Sequence, residues 1–256
     1  MLELKNKIAF ITGASSGIGK ATAEQLAAQG THLILTARRV ERLNQLVAEL
    51  QRQYPIKALP LQLDVRDKMQ VETVIQSLPT HWQPIDIVVN NAGLALTSDN
   101  IQDGNPDNWD TMIDTNVKGL LYVFRAIIPG MLARNNGHII NICSTAGHDY
   151  YQTGNVYCAT KHAVKALSRT MRLDLMGTAI RVSNISPGAT ETEFSDVRWQ
   201  NKDKAKAFYS TFNPLNADDI ADAIVYVASR PLHVDVAEMI IFPTQQASVH
   251  HIWKKV

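Results

Sequence analysis

Ile8-Ala-Phe-Ile-Thr-Gly-Ala-Ser-Ser-Gly-Ile-Gly19 is the stretch on which the reading of this chain turns. A short apolar run ends at Thr12, three glycines follow at 13, 17 and 19, and Ile18 to Gln29 then carries helical spacing until Gly30 stops it. That order predicts strand, glycine turn, helix. Gly13 permits the turn, Gly17 lets a phosphate approach the backbone, and Gly19 allows the helix to pack closely on the strand. The helix N-terminus would present unpaired N–H groups and a partial positive charge to a pyrophosphate, with Ser15, Ser16 and Ile18 in the same turn.

Working outward, the alternation repeats. Leu33 to Thr36 reads as a strand, and Val40 to Leu50 places Val40, Leu43, Leu46, Val47 and Leu50 on one helical stripe. Leu59 to Val65 reads as extended, Lys68 to Leu78 as helical, and Ile85 to Val89 as a buried strand. A long helix from about Trp109 to Arg134, a strand at His138 to Ile142, a helix from Asn155 to Met176 and a strand at Ile180 to Ile185 follow. Asn216, with Asp218 and Asp219 in the first turn, caps a helix towards Ser229, and Met239 to Phe242 makes a seventh strand. Strands alternating with helices predict an α/β fold: one doubly wound parallel sheet of about seven strands with helices on both faces. The whole chain, 1–256, reads as a single dinucleotide-binding and catalytic domain, and its least regular section, 188–214, as a substrate lid.

Composition agrees and narrows the function. With 256 residues, 45% hydrophobic and 19% charged, the chain can bury a core without metal or disulfide, and no metal ligand set is expected. His250 and His251 are adjacent and lack zinc-site spacing. Twenty-five Lys and Arg against 24 Asp and Glu give a net charge of +1, without the positive field of a nucleic-acid binder. Cys143 and Cys158 are too few for a disulfide framework, and no apolar run reaches membrane-spanning length. These features predict a soluble cytoplasmic protein.

The second strand selects the cofactor. An acid near its end would accept hydrogen bonds from the ribose 2′-OH of NAD, but here the strand runs into Arg38 and Arg39. Two guanidinium forks suit a dianionic 2′-phosphate, which predicts NADP(H). Further along, Tyr157 and Lys161 stand at i and i+4 of one helix, so a phenol and an ammonium share a face. A neighbouring cation favours the phenolate and suits it to proton transfer. Ser144, just past the strand 138–142, can hydrogen-bond a substrate oxygen beside Tyr157, and Asn116 is a candidate either for holding a water near Lys161 or for a structural role.

Together these residues resemble the short-chain dehydrogenase/reductase family over nearly the whole chain. The matches are TGxxxGIG at 12–19, Asp64-Val65, Asn90-Asn-Ala-Gly93, Asn116, Ser144, Tyr157xxxLys161 and Pro187-Gly188 with Thr192. The resemblance implies that Tyr157 is the general acid/base and that Ser144 orients the substrate carbonyl. It implies that Lys161 binds the nicotinamide ribose and lowers the phenol's pKa, and that Asn116 supports a proton relay. It also implies that Asp64 and Val65 meet the adenine, that Asn90 lies along the cofactor, and that Pro187, Gly188 and Thr192 flank the nicotinamide.

A narrower resemblance, in 91–96, 137–142, Thr192-Glu-Phe-Ser195 with Val197-Arg198, and the tail 241–251, is to the NADP-dependent 3-hydroxy acid dehydrogenases. That group acts on serine, allo-threonine, 3-hydroxyisobutyrate and 3-hydroxypropionate, and its tail implies a homotetramer. Ala189-Thr-Glu191 departs from the group's glycine-containing segment, which bears on substrate range. A small hydroxy acid needs a cation for its carboxylate, and Arg198 is the candidate. The competing readings are a reductase of the same family for neutral carbonyls or diketones, and a non-catalytic NADP(H) sensor.

Overall fold

Apolar side chains alternate along each strand, and the computed structural model, which describes residues 2–254, shows where each set goes. On β1 (Ile8–Thr12) Ala9 and Ile11 enter one core while Ile8 and Phe10 enter the other, and on β2 (His32–Ala37) Leu33 and Leu35 oppose Ile34 in the same way. A strand apolar on both faces needs helices on both sides. The first core is closed by α1 (Gly17–Ala28), which follows β1, and by α2 (Val40–Gln53), whose Leu43, Leu46, Val47 and Leu50 are all buried as the stripe predicts. Each such aliphatic side chain contributes about 1.5–3 kcal/mol relative to exposure.

After β3 (Ala58–Gln62) come α3 (Lys68–Gln76) and β4 (Ile87–Asn90). The expected extended run to Val65 stops at Gln62: Leu63 still donates its N–H to Ala37, but the Asp64 N–H turns to the Gln70 side chain. The expected long helix is interrupted. It consists of α4 (Pro106–Ile113), capped by Asn105 with proline in its first turn, a π-helical turn (Asp114–Lys118) and α5 (Gly119–Arg134). Such turns recur at functional sites, and this one contains Asn116.

β5 (Gly137–Ile142), α6 (Asn155–Asp174) and β6 (Ile180–Pro187) follow. Segment 188–214 is more regular than its sequence suggests, since Thr192 and Asn201 cap two short helices, α7 (Glu193–Trp199) and α8 (Lys202–Tyr209). Helices of seven and eight residues are too short for their periodicity to stand out. Asn216 caps α9 (Ala217–Ala228) in a full capping box with Asp219, and β7 (Glu238–Ile241) ends the sheet.

The seven strands are parallel in the order β3-β2-β1-β4-β5-β6-β7. The order reverses between β1 and β4, and a crevice opens outside the carboxyl ends of the strands at such a switch point. α3, α5 and α6 cover the second core, so α6 enters the site from that side.

Candidate active site

The glycine turn has the backbone geometry its residues allow. Gly13 and Gly17 have φ of +65° and +52°, and a Cβ on Gly19 would lie 2.5 Å from both the Gly13 carbonyl oxygen and Asn91 Nδ2. Asn91 also stitches this turn to the end of β4. Its amide donates to the Thr12 and Gly13 carbonyls at 2.9 and 3.2 Å, while Thr12 Oγ1 accepts from the N–H groups of Asn91 and Ala92.

A cavity of about 700 Å³ runs from this turn across the strand ends. Gly13, Ser15, Ser16, Gly17 and Ile18 line it, as do Arg38, Arg39, Asp64 and Val65 at one end and Ser144, Tyr157, Lys161 and Arg198 at the other, with Pro187, Gly188 and Thr192 between. Gly19 and Asn90 are not among the residues lining the cavity. Gly19 lies beneath the turn as a packing position, and Asn90 is buried within the sheet, donating to Asn141 Oδ1 at 2.8 Å. The strand ends at Asn90, and Asn91, Ala92 and Gly93 beyond it line the cavity.

At the β2 end, Arg39 Nη2 donates to Ser15 Oγ and Ser16 Oγ at 3.2 and 3.1 Å, placing its guanidinium beside the glycine turn. Arg39 Nη1 and Arg42 Nη1 both reach Glu193 of α7, at 3.2 and 2.8 Å. Burial would raise the Glu193 carboxyl, but hydrogen bonds from Arg42 and Arg39 outweigh it and hold the group below the usual carboxylate range. Arg38 makes no side-chain hydrogen bond or salt bridge among the described residues. Asp64 is gripped by Arg66 Nη2 at 2.6 Å, which holds its carboxyl below the ordinary range. Arg42 was legible only as an arginine three residues after Arg39; that α7 returns to meet both is a tertiary fact.

At the other end, Tyr157 and Lys161 are 9% and 5% exposed, and Lys161 Nζ donates to the Ile142 carbonyl at 2.9 Å, 5.9 Å from the centre of the Tyr157 ring. Ser144 caps a 3-10 turn (Thr145–Gly147), its hydroxyl accepting from Ala146 N–H and donating to the Pro187 carbonyl at 3.5 Å. Burial pushes the Tyr157 phenol well above its ordinary value, while the Ser144 hydroxyl and the Arg198 guanidinium pull it back. Burial also lowers Lys161.

Asn116 is buried in the π-helical turn. Its side chain bonds both backbone groups of Leu94 at 2.8 Å and Thr160 Oγ1 at 3.0 Å, tying the loop after β4 to the helix of Tyr157 and Lys161. A Cβ on Gly93 would lie 3.3 Å from Asn116 Oδ1 and 3.4 Å from Lys161 Nζ, so these groups converge on one spot.

Sequence reasoning passed over three neighbours. Phe194 sets its ring 5.6 Å from that of Tyr157, and Tyr151, its phenol pushed up to about 12 by burial, lies 5.2 Å below the Arg198 guanidinium. Gln246 from the tail accepts from Ala189 N–H at 2.8 Å. Nothing in local spacing marks these positions. Arg198 Nε is buried without a hydrogen-bond partner among the described residues.

This arrangement brings a buried phenol, an ammonium and a hydroxyl together at the open end of a glycine-turn sheet, which is acid/base equipment beside a dinucleotide cleft. The sequence profile described as short chain dehydrogenase matches residues 7–203. The chain belongs to the short-chain dehydrogenase family. Within this family it is 41% identical over 257 residues to an NADP-dependent 3-hydroxy acid dehydrogenase of Schizosaccharomyces pombe, covering 100% of this chain and 99% of that one. It is 43% identical to sulfoacetaldehyde reductase 2 of Chromohalobacter salexigens, with 94% and 95% coverage. Among solved family structures, the closed form of serine dehydrogenase complexed with NADP+ superposes with a TM-score of 0.90 at 44% identity, covering 94% of this chain and 96% of that one.

Proposed function

We propose that the protein is an NADP(H)-dependent oxidoreductase of small 3-hydroxy acids and the corresponding carbonyls. The observation that carries this reading is that Tyr157 and Arg198 line one cavity: an acid/base phenol and a guanidinium whose buried Nε has no hydrogen-bond partner among the described residues. The similar dehydrogenases and reductase are named for 3-hydroxy acids, serine and sulfoacetaldehyde, and an acid or sulfonate group is what a guanidinium fork would hold.

The residues fit the cofactor. The Arg39 and Arg42 pair already holds one anion, the Glu193 carboxylate, beside a turn whose Gly13 and Gly17 line the cavity. In this reading, 13 and 15–18 cradle the pyrophosphate, Arg38 and Arg39 take the 2′-phosphate, Asp64 and Val65 meet the adenine, and Pro187, Gly188 and Thr192 flank the nicotinamide. When bound, the nicotinamide supplies the hydride acceptor for oxidation and the donor for reduction. Tyr157 takes the hydroxyl proton as the substrate carbon is oxidised and returns it in the reverse direction, while Ser144 holds the oxygen on which that proton moves. Lys161 binds the nicotinamide ribose, and Asn116 keeps the loop at 94 and the helix at 160 in register beside it. Segment 188–214 acts as the lid.

Comparison of an acid with its methyl ester tests Arg198. Wild type should favour the acid in kcat/KM by about 10- to 100-fold, the worth of a hydrogen bond to a charged group, and Arg198→Ala should lose most of that preference. Equal discrimination by both proteins would remove Arg198 from the role; activity on uncharged diketones without activity on hydroxy acids would favour a neutral-carbonyl reductase, to which the aromatic lining by Phe194, Trp199 and Phe208 is suited.

We further propose a cytoplasmic homotetramer. Leu232, Ile240 and Trp253 are 55%, 46% and 67% exposed on the β7 and tail side, and both cysteines are free thiols. No helix among the described residues is long and apolar enough to cross a membrane. Sedimentation equilibrium should give the mass of four chains, and Trp253→Lys should lower it; a wild-type dimer would contradict the proposal.

A further inference from the structure

Glu193, the first residue of α7, reaches over the glycine turn to the start of α2. Its two carboxylate oxygens lie 2.8 and 3.1 Å from Arg42 Nη1, and one of them is 3.2 Å from Arg39 Nη1. The preceding residue sits on the turn itself, since a Cβ built on Gly17 would stand 3.3 Å from Thr192 Cβ. The same short helix carries Phe194 against the Tyr157 ring and Arg198 over Tyr151. The ion pairs of Glu193 with Arg42 and Arg39 therefore help to hold an element that touches both ends of the cavity.

We propose that Glu193 and Arg42 are positioning residues that form a clasp, closing α7 across the cofactor cleft, slowing cofactor release and setting Phe194 and Arg198 at the substrate end. The inference rests on the reading that the cleft binds NADP(H). Three arginines, Arg38, Arg39 and Arg42, can balance both a dianionic phosphate and the Glu193 carboxylate, so the clasp and the phosphate need not exclude each other. The division of labour also follows from the contacts. Arg39 is shared between the turn and Glu193, whereas the only side-chain partner of Arg42 is Glu193 among the described residues. The likeness to a closed, NADP+-bound serine dehydrogenase at a TM-score of 0.90 is consistent with a clasp that is shut.

The test is stopped-flow release of NADPH and of NADH from wild type, Glu193→Gln, Arg42→Met and the double variant. All three side chains of the cluster are close to half exposed, so the substitutions leave the core untouched. Because an exposed pair is worth up to about 1 kcal/mol, each single variant should release NADPH about three- to five-fold faster, NADH release should rise by a similar factor, and the double variant should add nothing further. KM for the hydroxy acid should rise with kcat/KM falling. Unchanged release rates, or effects of the two substitutions that multiply, would overturn the clasp. An effect of Arg42→Met on NADPH alone would overturn it too, by making Arg42 a phosphate ligand. Wild type that binds no NADPH would instead overturn the cofactor reading, and the clasp with it.

Discussion

Tyr157→Phe should lower kcat for hydroxy acid oxidation by about 10²–10⁴-fold, the usual contribution of a positioned general acid/base, while the affinity for NADPH changes by less than about two-fold. The substitution removes one hydroxyl from a ring held by Phe194 and by its place on α6, so packing survives. The wild-type pH dependence follows from the direction in which the phenol is moved. Burial raises it above its ordinary value of about 10, and the base is competent only when ionised, so oxidation should keep rising through the alkaline range and fall as pH falls. Reduction needs the protonated phenol and should decline only at high pH. Arg198 pulls the phenol down, so Arg198→Ala should displace the oxidation profile towards higher pH. Initial rates in both directions across pH check all three statements; a Phe variant with wild-type turnover would sink the assignment of the base.

The second large effect is on cofactor choice. Replacing Arg38 and Arg39 together with alanine should reduce kcat/KM for NADP⁺ by about 10²- to 10⁴-fold, with little loss for NAD⁺, because each guanidinium contributes about 1.5–3 kcal/mol to a charged partner. The single variants should not be equivalent. Arg38 has no other side-chain bond among the described residues, so Arg38→Ala should affect NADP⁺ alone, whereas Arg39 also braces Ser15, Ser16 and Glu193, and Arg39→Ala should cost some efficiency with both cofactors. Equal losses with NADP⁺ and NAD⁺ in the double variant would place the 2′-phosphate elsewhere.

The strands were legible because parallel strands buried on both faces are written as continuous apolar runs, and the helix of α2 because a single stripe of Leu and Val faces the sheet. The break at Asp114–Lys118 was not, because helical stretches continue on both sides and hide a single π-helical turn inside one long run. Segment 188–214 concealed α7 and α8 for the opposite reason: each is too short to repeat a pattern. Asn90 and Asn91 show the same limit at a single residue. The sequence places both at a strand end, but which one faces the cleft depends on where pairing with β5 stops, and β5 pairs as far as Asn90.

What the amino-acid sequence determines by itself is whatever depends on neighbours within a helical turn or a strand: the glycine spacing that lets the first helix begin beside a strand, the arginines after the second strand, and a phenol four residues before an ammonium. The tertiary structure alone decides which distant groups meet. Glu193 and Arg42 are 151 residues apart, and Asn116 and Thr160 are 44 apart, yet each pair is within hydrogen-bond distance. They meet because the parallel sheet delivers every strand's carboxyl end to one edge, and no local spacing encodes which loops the strand order will set side by side.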